Sequence, residues 1–368
     1  MENNKTNISI NKVNNVSNKK SFTYLVFSIF FVLISILSIM MIQDEGNGTG
    51  FNIFKIFHWY VFIELAILMF LLFLFDTLRF YYMLKSLNVH MKFPYMFRLS
   101  FINVLVSNIT PFTTGGGIGQ IYFLNKKGVS ISDSSAAVLI RTITSIGFYF
   151  IIIPVILLFN QDLLALFPNR NNLVITIVTL SIYGIALFFF YNLIKNTKIL
   201  KKLIFGVVSY LNRKNIVKRQ SFRNIIRDSF RSVDNFSKNV ILFFKGEKKY
   251  VFLSIFYTPL YILTLCAFPA VLIKGLKYGV NYDVSSFSIV SLQVMLTFVT
   301  YFVPTPGATG AAEGSFYYIF QEVVKGEYIA SVTFLWRFFT IYLGILIGLF
   351  ISYIELIRIK RNKNKLNN

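Results

Sequence analysis

Residues 303–320 read VPTPGATGAAEGSFYYIF, inside a stretch, 285–325, that is otherwise largely apolar. Pro304 and Pro306 lack the backbone N–H a helix needs and clash with the preceding turn, and Gly307 and Gly310 weaken any helix they enter. A second apolar stretch, 97–125, is interrupted in the same way by PFTTGGGIGQ at 111–120. Open backbone at membrane depth is tolerated only where protein or a water-filled cavity covers it. Both stretches therefore read as re-entrant hairpins or discontinuous helices, and this reading decides the fold.

Working outward from these breaks, a spanning helix needs about 20 apolar residues. Six segments qualify: 22–42, 53–75, 132–159, 172–195, 250–273 and 329–354. The expected fold is an all-α polytopic membrane protein with six spanning helices and two Pro/Gly-broken hairpins. Composition agrees. Hydrophobic residues make up 55% of the chain and charged residues 14%, with a mean hydropathy of +0.62. A soluble domain would carry roughly a quarter charged residues.

The net charge of +22 would suggest nucleic acid in a soluble protein. Here the charge sits in loops and tails, where the positive-inside rule accounts for it, so no nucleic-acid partner is expected. Lys5, Lys12, Lys19 and Lys20 put the tail 1–21 in the cytoplasm, whereas Asp44 and Glu45 fit the outside. Arg79, Lys85, Lys92 and Arg98 mark the next inner loop, and 196–249 is a Lys/Arg-rich inner loop. The basic tail 358–368 is also inside. Both termini are thus expected in the cytoplasm of a multi-pass cell-membrane protein, if neither hairpin crosses; a full crossing by 285–303 would change the count.

This layout contains a repeat. Residues 53–159 and 250–354 each read span, broken hairpin, span, in opposite orientations. Pro111 precedes Arg141 by thirty residues, and Pro306 precedes Arg337 by thirty-one. Inverted repeats with interrupted helices are a common way to build a transporter site near the midplane.

Ionisable groups inside a bilayer are costly and are functional candidates by default. They are Arg141, Arg337, Glu313 and Glu64, with Gln120 standing after the first break where Glu313 stands after the second. An arginine fork holds a phosphate through two parallel hydrogen bonds, and N–H groups at a helix start favour an anion. Arg141, Arg337, Glu313, Gln120, Gly116, Gly117, Gly307 and Gly310 are therefore the candidate lipid-headgroup site. The structural alternative pairs the arginines with Glu64, Glu313 or free carbonyls and simply locks the hairpins. Glu313 and Glu64 are also candidates for proton transfer or ion pairing. The glycines at 115, 116, 117, 119, 307, 310 and 314 would serve tight turns and close helix approach. Asp76 and Arg79 read as a local i,i+3 pair at a membrane boundary.

In the loop 196–249, Phe222, Ile226, Phe230, Val233 and Val240 recur at helical spacing, and Arg219, Arg223, Arg227 and Arg231 form a ladder on another face. Such a helix suits an anionic cytoplasmic leaflet, or else is a solvated connector. Cys266 is alone, His58 and His90 are far apart, and neither a metal-ligand spacing nor a Walker signature occurs. No cofactor, no metal and no nucleophile–base pair is expected.

These segments resemble a known family. PFTTGGGIGQIYFLNKKGVSISDSSAAVLIRTI (111–143) is similar to the first signature of the flippase-like family, also named for the transmembrane region of lysylphosphatidylglycerol synthase. VPTPGATGAAEGSFYYIF with SVTFLWRFFTIYLGILIG (331–348) resembles its second signature. The resemblance covers about 22–357 and implies a lipid-handling membrane domain, like that of the multiple peptide resistance factor. It implies movement of a phospholipid such as phosphatidylglycerol or lysyl-phosphatidylglycerol, with membrane phospholipids as partners. Family members often have Glu at the position of Gln120. The chain stops at Asn368, shortly after the last span, so the synthase domain is expected to be absent. Three readings follow: a lipid translocase; a phosphatidylglycerol lysyltransferase acting with a separate synthase; and a non-catalytic scaffold for anionic lipid. A separate synthase and a second copy of the chain are the candidate protein partners.

Overall fold

The computed structural model of the protein describes residues 40, 53–110, 115–159, 197–213, 219–280 and 284–367. The expected tail 1–21, almost all of the span 22–42 and the span 172–195 lie outside the described residues. The described residues are helical throughout, apart from turns and two isolated backbone bridges, Phe57 to Leu276 and Val280 to Val324.

Among the described residues the helices longer than a single turn are α1 (Trp59–Ser86), α2 (Phe93–Ile109), α3 (Gly115–Asn125), α4 (Ile131–Phe159), α5 (Thr197–Arg213), α6 (Arg219–Lys245), α7 (Lys248–Lys274), α8 (Ser286–Thr300), α9 (Ala311–Phe320), α10 (Gly326–Arg337) and α11 (Leu343–Asn367). A single π turn, Phe338–Tyr342, joins α10 to α11. Among the described residues four helices are long and apolar enough to cross a membrane: α1, α4, α7 and the run Gly326–Ile359. Only about a third of the most apolar window of each is buried (28–33%). The remaining apolar surface faces outward, as lipid-facing helices require.

Both expected breaks are present. α2 ends at Ile109 and α3 begins at Gly115, while α8 ends at Thr300 and α9 begins at Ala311, with a 3₁₀ turn at Pro306–Ala308 between them. Two details differ from expectation. Gly115, Gly116, Gly117 and Gly119 lie inside α3 rather than in open backbone, so the interruption precedes them. The span expected at 53–75 is interrupted at 57–58, after a short helix Ile53–Ile56, and then runs as one helix from Trp59 to Ser86, and most of the expected basic loop after it is helical. The cause is local: Asp76 and Arg79 neutralise each other within α1, so the charges that end an apolar window do not end the helix.

The chain divides into two compact units. Unit 1 takes residues up to Phe73, Phe97–Phe123 and everything from Leu263; unit 2 takes Leu74–Met96 and Leu124–Ile262. Inside unit 1, α11 lies close against α2. A side chain at Gly348 would come within 2.5 Å of the Phe101 carbonyl oxygen, and one at Gly344 within 2.9 Å of Val104 Cγ1. This GxxxG pair lets the two backbones approach closely. Phe73 stacks on Phe101 at 3.9 Å in the same seam. At the helix ends of the seam, Glu355 is buried and accepts ion pairs from Arg98 (2.8 Å) and Arg358 (2.9 Å).

In unit 2, α7 packs against the second half of α1 through Tyr257, which stacks on Tyr82 (5.8 Å) and Phe75 (6.0 Å). α5 and α6 form a helical hairpin, tied by Lys201–Asp234 at 2.6 Å and an edge contact of Phe205 with Phe222. α6 also packs on α4.

Candidate functional site

The site in unit 1 grows from the second break. Gly307 (φ +61°), Ala308 (φ +53°) and Gly310 (φ +82°) all have left-handed backbone, which is cheap only for glycine. The Ala308 and Thr309 N–H groups close short turns onto Thr305 and Pro306 carbonyls. α9 then starts, and Glu313, at its third position, reaches back so that Oε2 accepts the Gly310 N–H at 2.7 Å. This is the glutamate half of a capping box.

The other Glu313 oxygen meets Arg337. Oε1 lies 2.9 Å from Arg337 Nε, and both side chains are buried. The N–H does not point along that line, so this is an ion pair with incomplete hydrogen bonding. Arg337 Nη1 donates to the Gly307 carbonyl at 3.4 Å. The pairing has a structural cause. Phe316, one turn after Glu313, stacks on Trp336 at 4.6 Å and 19°, and Arg337 lies over the same indole at 4.7 Å. That stack fixes α9 against α10 and sets the carboxylate beside the guanidinium. The π turn follows Arg337 directly; one-turn π-bulges are frequent at functional sites.

The first break meets the second here. A side chain at Gly307 would lie 2.6 Å from Asn108 Oδ1, at the end of α2. Asn108 itself donates to the Val104 carbonyl at 2.8 Å. Across the first break, Thr110 Oγ1 accepts the Gly115 N–H at 2.8 Å. Gly116 is packed against Ser107 and Asn103, and a side chain at Gly119 would come within 3.0 Å of Val106 Cγ2, so α3 folds tightly back on α2. Gly117 is buried. Gly314, by contrast, is exposed with nothing near it, so the expected close approach does not apply there.

Several buried polar atoms of unit 1 have no hydrogen-bond partner among the described residues. They include both amide atoms of Gln120, Trp336 Nε1, Arg337 Nη2 and Gln293 Oε1. Gln120 is completely buried. Leaving such a group unsatisfied costs about 1–3 kcal/mol each. Arg337 Nη2 belongs to the buried ion pair itself and Trp336 Nε1 to the neighbouring residue, and a polar ligand or water would satisfy both.

Arg141 belongs to unit 2. It is buried on α4 with its guanidinium 5.1 Å from the Phe80 ring. Its carbonyl accepts from Ser145 Oγ at 2.9 Å, and Ser145 Oγ in turn accepts from Arg79 Nη1 at 3.0 Å. Arg79 pairs with Asp76 at 2.6 Å and lies 3.7 Å over Tyr261. The i,i+3 pair was legible in the sequence, but its burial and its link to Ser145 were not. Glu64 is exposed in the second turn of α1, beside exposed Ile63 and Ile67, and no ion pair is recorded for it among the described residues. Glu355, buried between Arg98 and Arg358, escaped sequence reasoning because it stands in a basic stretch that reads as loop. Arg223, Arg227 and Arg231 are exposed on α6, and Arg219 lies on the same helix. Among the described residues no group of three potential metal ligands occurs.

The family described as "Lysylphosphatidylglycerol synthase TM region" matches residues 21–348, and the chain belongs to it. A curated relative, a "UPF0104 membrane protein" of Archaeoglobus fulgidus, is 22% identical over 324 residues, which is 86% of this chain and 92% of the relative. The protein is a multi-pass membrane protein whose family is associated with lysylphosphatidylglycerol synthase.

Proposed function

We propose that the protein is a lipid translocase, which moves a phospholipid with an anionic phosphate between leaflets, and that Arg337 holds the phosphate. The observation that carries this reading is the meeting of both chain breaks at one buried ion pair: Asn108 against Gly307, Gly307 O on Arg337, Arg337 on Glu313. In this reading Glu313 occupies the place of the ligand's anion. It accepts the Gly310 N–H and neutralises Arg337, two interactions a phosphate would also make. An arriving headgroup displaces the carboxylate, and departure lets it return. The exchange never leaves a bare guanidinium in apolar surroundings, which would cost several kcal/mol. Glu313 can also neutralise a cationic headgroup such as a lysyl amine, or carry a proton. Gln120 and Trp336 supply further donors. The two breaks act as re-entrant hairpins of an inverted repeat, with both termini cytoplasmic.

The test is photo-crosslinking in proteoliposomes with a phosphatidylglycerol that carries a diazirine near its headgroup. Labelling is expected within 304–337 and is expected to fall at least tenfold in Arg337→Gln. Labelling confined to outward faces such as Ile63–Phe70, and indifferent to the substitution, would overturn the reading. The family's description supports a second reading, aminoacyl-lipid synthesis with a separate synthase. Lysyl-phosphatidylglycerol formed from lysyl-tRNA and phosphatidylglycerol by a soluble synthase only when this chain is present would favour that one.

A further inference from the structure

We infer that the arginine strip of α6 is a docking surface for the headgroups of anionic phospholipids in the adjoining leaflet, a site separate from the ion pair of unit 1 and independent of the translocase reading. Arg223, Arg227 and Arg231 follow one another at i,i+4 spacing and are all exposed, and Lys238 extends the charge. Along α6 the sequence sets Arg219, Arg223, Arg227, Arg231, Lys238 and Lys245 against Asp228 and Asp234, and Asp234 already pairs with Lys201 of α5 at 2.6 Å. The strip therefore presents a net positive face.

Its neighbour stripe is apolar. Phe222, Ile226 and Phe230 run alongside the arginines in the same concave surface, half-buried. Phe222 contacts Phe205, and the Lys201 ammonium lies 5.7 Å from the Phe230 ring. The hairpin also leaves large apolar side chains in the open: Phe205, Tyr210, Ile241, Leu242 and Phe244. Apolar residues beside a basic strip are the signature of a helix lying in a headgroup region. The anchoring agrees. α6 is 27 residues, about 40 Å long, and Gly246 at its end packs against the Ser86 carbonyl at the end of α1. Tyr81, Tyr82 and Tyr250 gather at this end with Lys85 over two of their rings, the aromatic belt expected at a membrane interface. This end of the hairpin thus lies at headgroup level. An ordinary inner-loop helix obeying the positive-inside rule would not need the lipid to be anionic.

The experiment is hydrogen exchange on the full chain in nanodiscs of pure phosphatidylcholine and of phosphatidylcholine with phosphatidylglycerol. The amides of 219–231 are expected to exchange about 100-fold more slowly in the anionic discs. That protection is lost in the R223Q/R227Q/R231Q variant and at high salt, while α1 and α7 keep theirs. Equal exchange in both lipids, or protection that survives the triple substitution, would overturn the inference. Should the variant fail to reconstitute, the salt titration of the wild-type chain decides, since protection indifferent to salt contradicts an electrostatic contact.

Discussion

Glu313 and Arg337 share one buried ion pair, and its energetics separate structure from function. Removing one member strands the other in a low-dielectric site at a cost of about 3–5 kcal/mol, whereas replacing both by apolar residues of similar size is often neutral. Arg337→Met and Glu313→Leu singly are therefore expected to lower thermal stability in detergent, and the double variant to recover it. Independent, additive losses in that cycle would argue against the pair. Sequence reading found both residues, because a charge in an apolar segment is conspicuous. It offered Glu313 as one of several partners for the arginines but could not choose among them, because the choice depends on the Phe316–Trp336 stack between α9 and α10. It treated Asp76 and Arg79 as a boundary because hydropathy counts each charge as a full cost. In the folded helix they cancel, and α1 continues to Ser86.

At the level of the elements, the two breaks were legible from proline and glycine, whose backbone limits act locally. The seam between α11 and α2 was not, because it depends on which face of each helix meets the other. Gly348 lies against a backbone carbonyl and Gly344 against side chains that can yield. Gly348→Ala is expected to destabilise by about 1–3 kcal/mol and Gly344→Ala by less, measured by unfolding in mixed micelles. Equal, small effects would mean the seam is loose. Gly314 offers the opposite case: exposed in α9 with nothing nearby, it is expected to accept alanine with a gain of about 0.5–1 kcal/mol.

For the whole molecule, the charge asymmetry predicts orientation. In a Cys266→Ser background, single cysteines at Lys12, Arg227 and Lys363 are expected to react with an impermeant maleimide only from the cytoplasmic face. Labelling of any of them from outside would contradict the arrangement. In the proposed cycle, lipid crosses the membrane by exchanging with Glu313 at Arg337. The most direct test is the rate at which a fluorescent phosphatidylglycerol changes leaflets in proteoliposomes. The wild-type chain is expected to exceed protein-free vesicles at least tenfold, and the Glu313→Leu/Arg337→Met pair, equally stable, to fall to the protein-free rate. Wild-type movement by the doubly substituted chain would contradict the account.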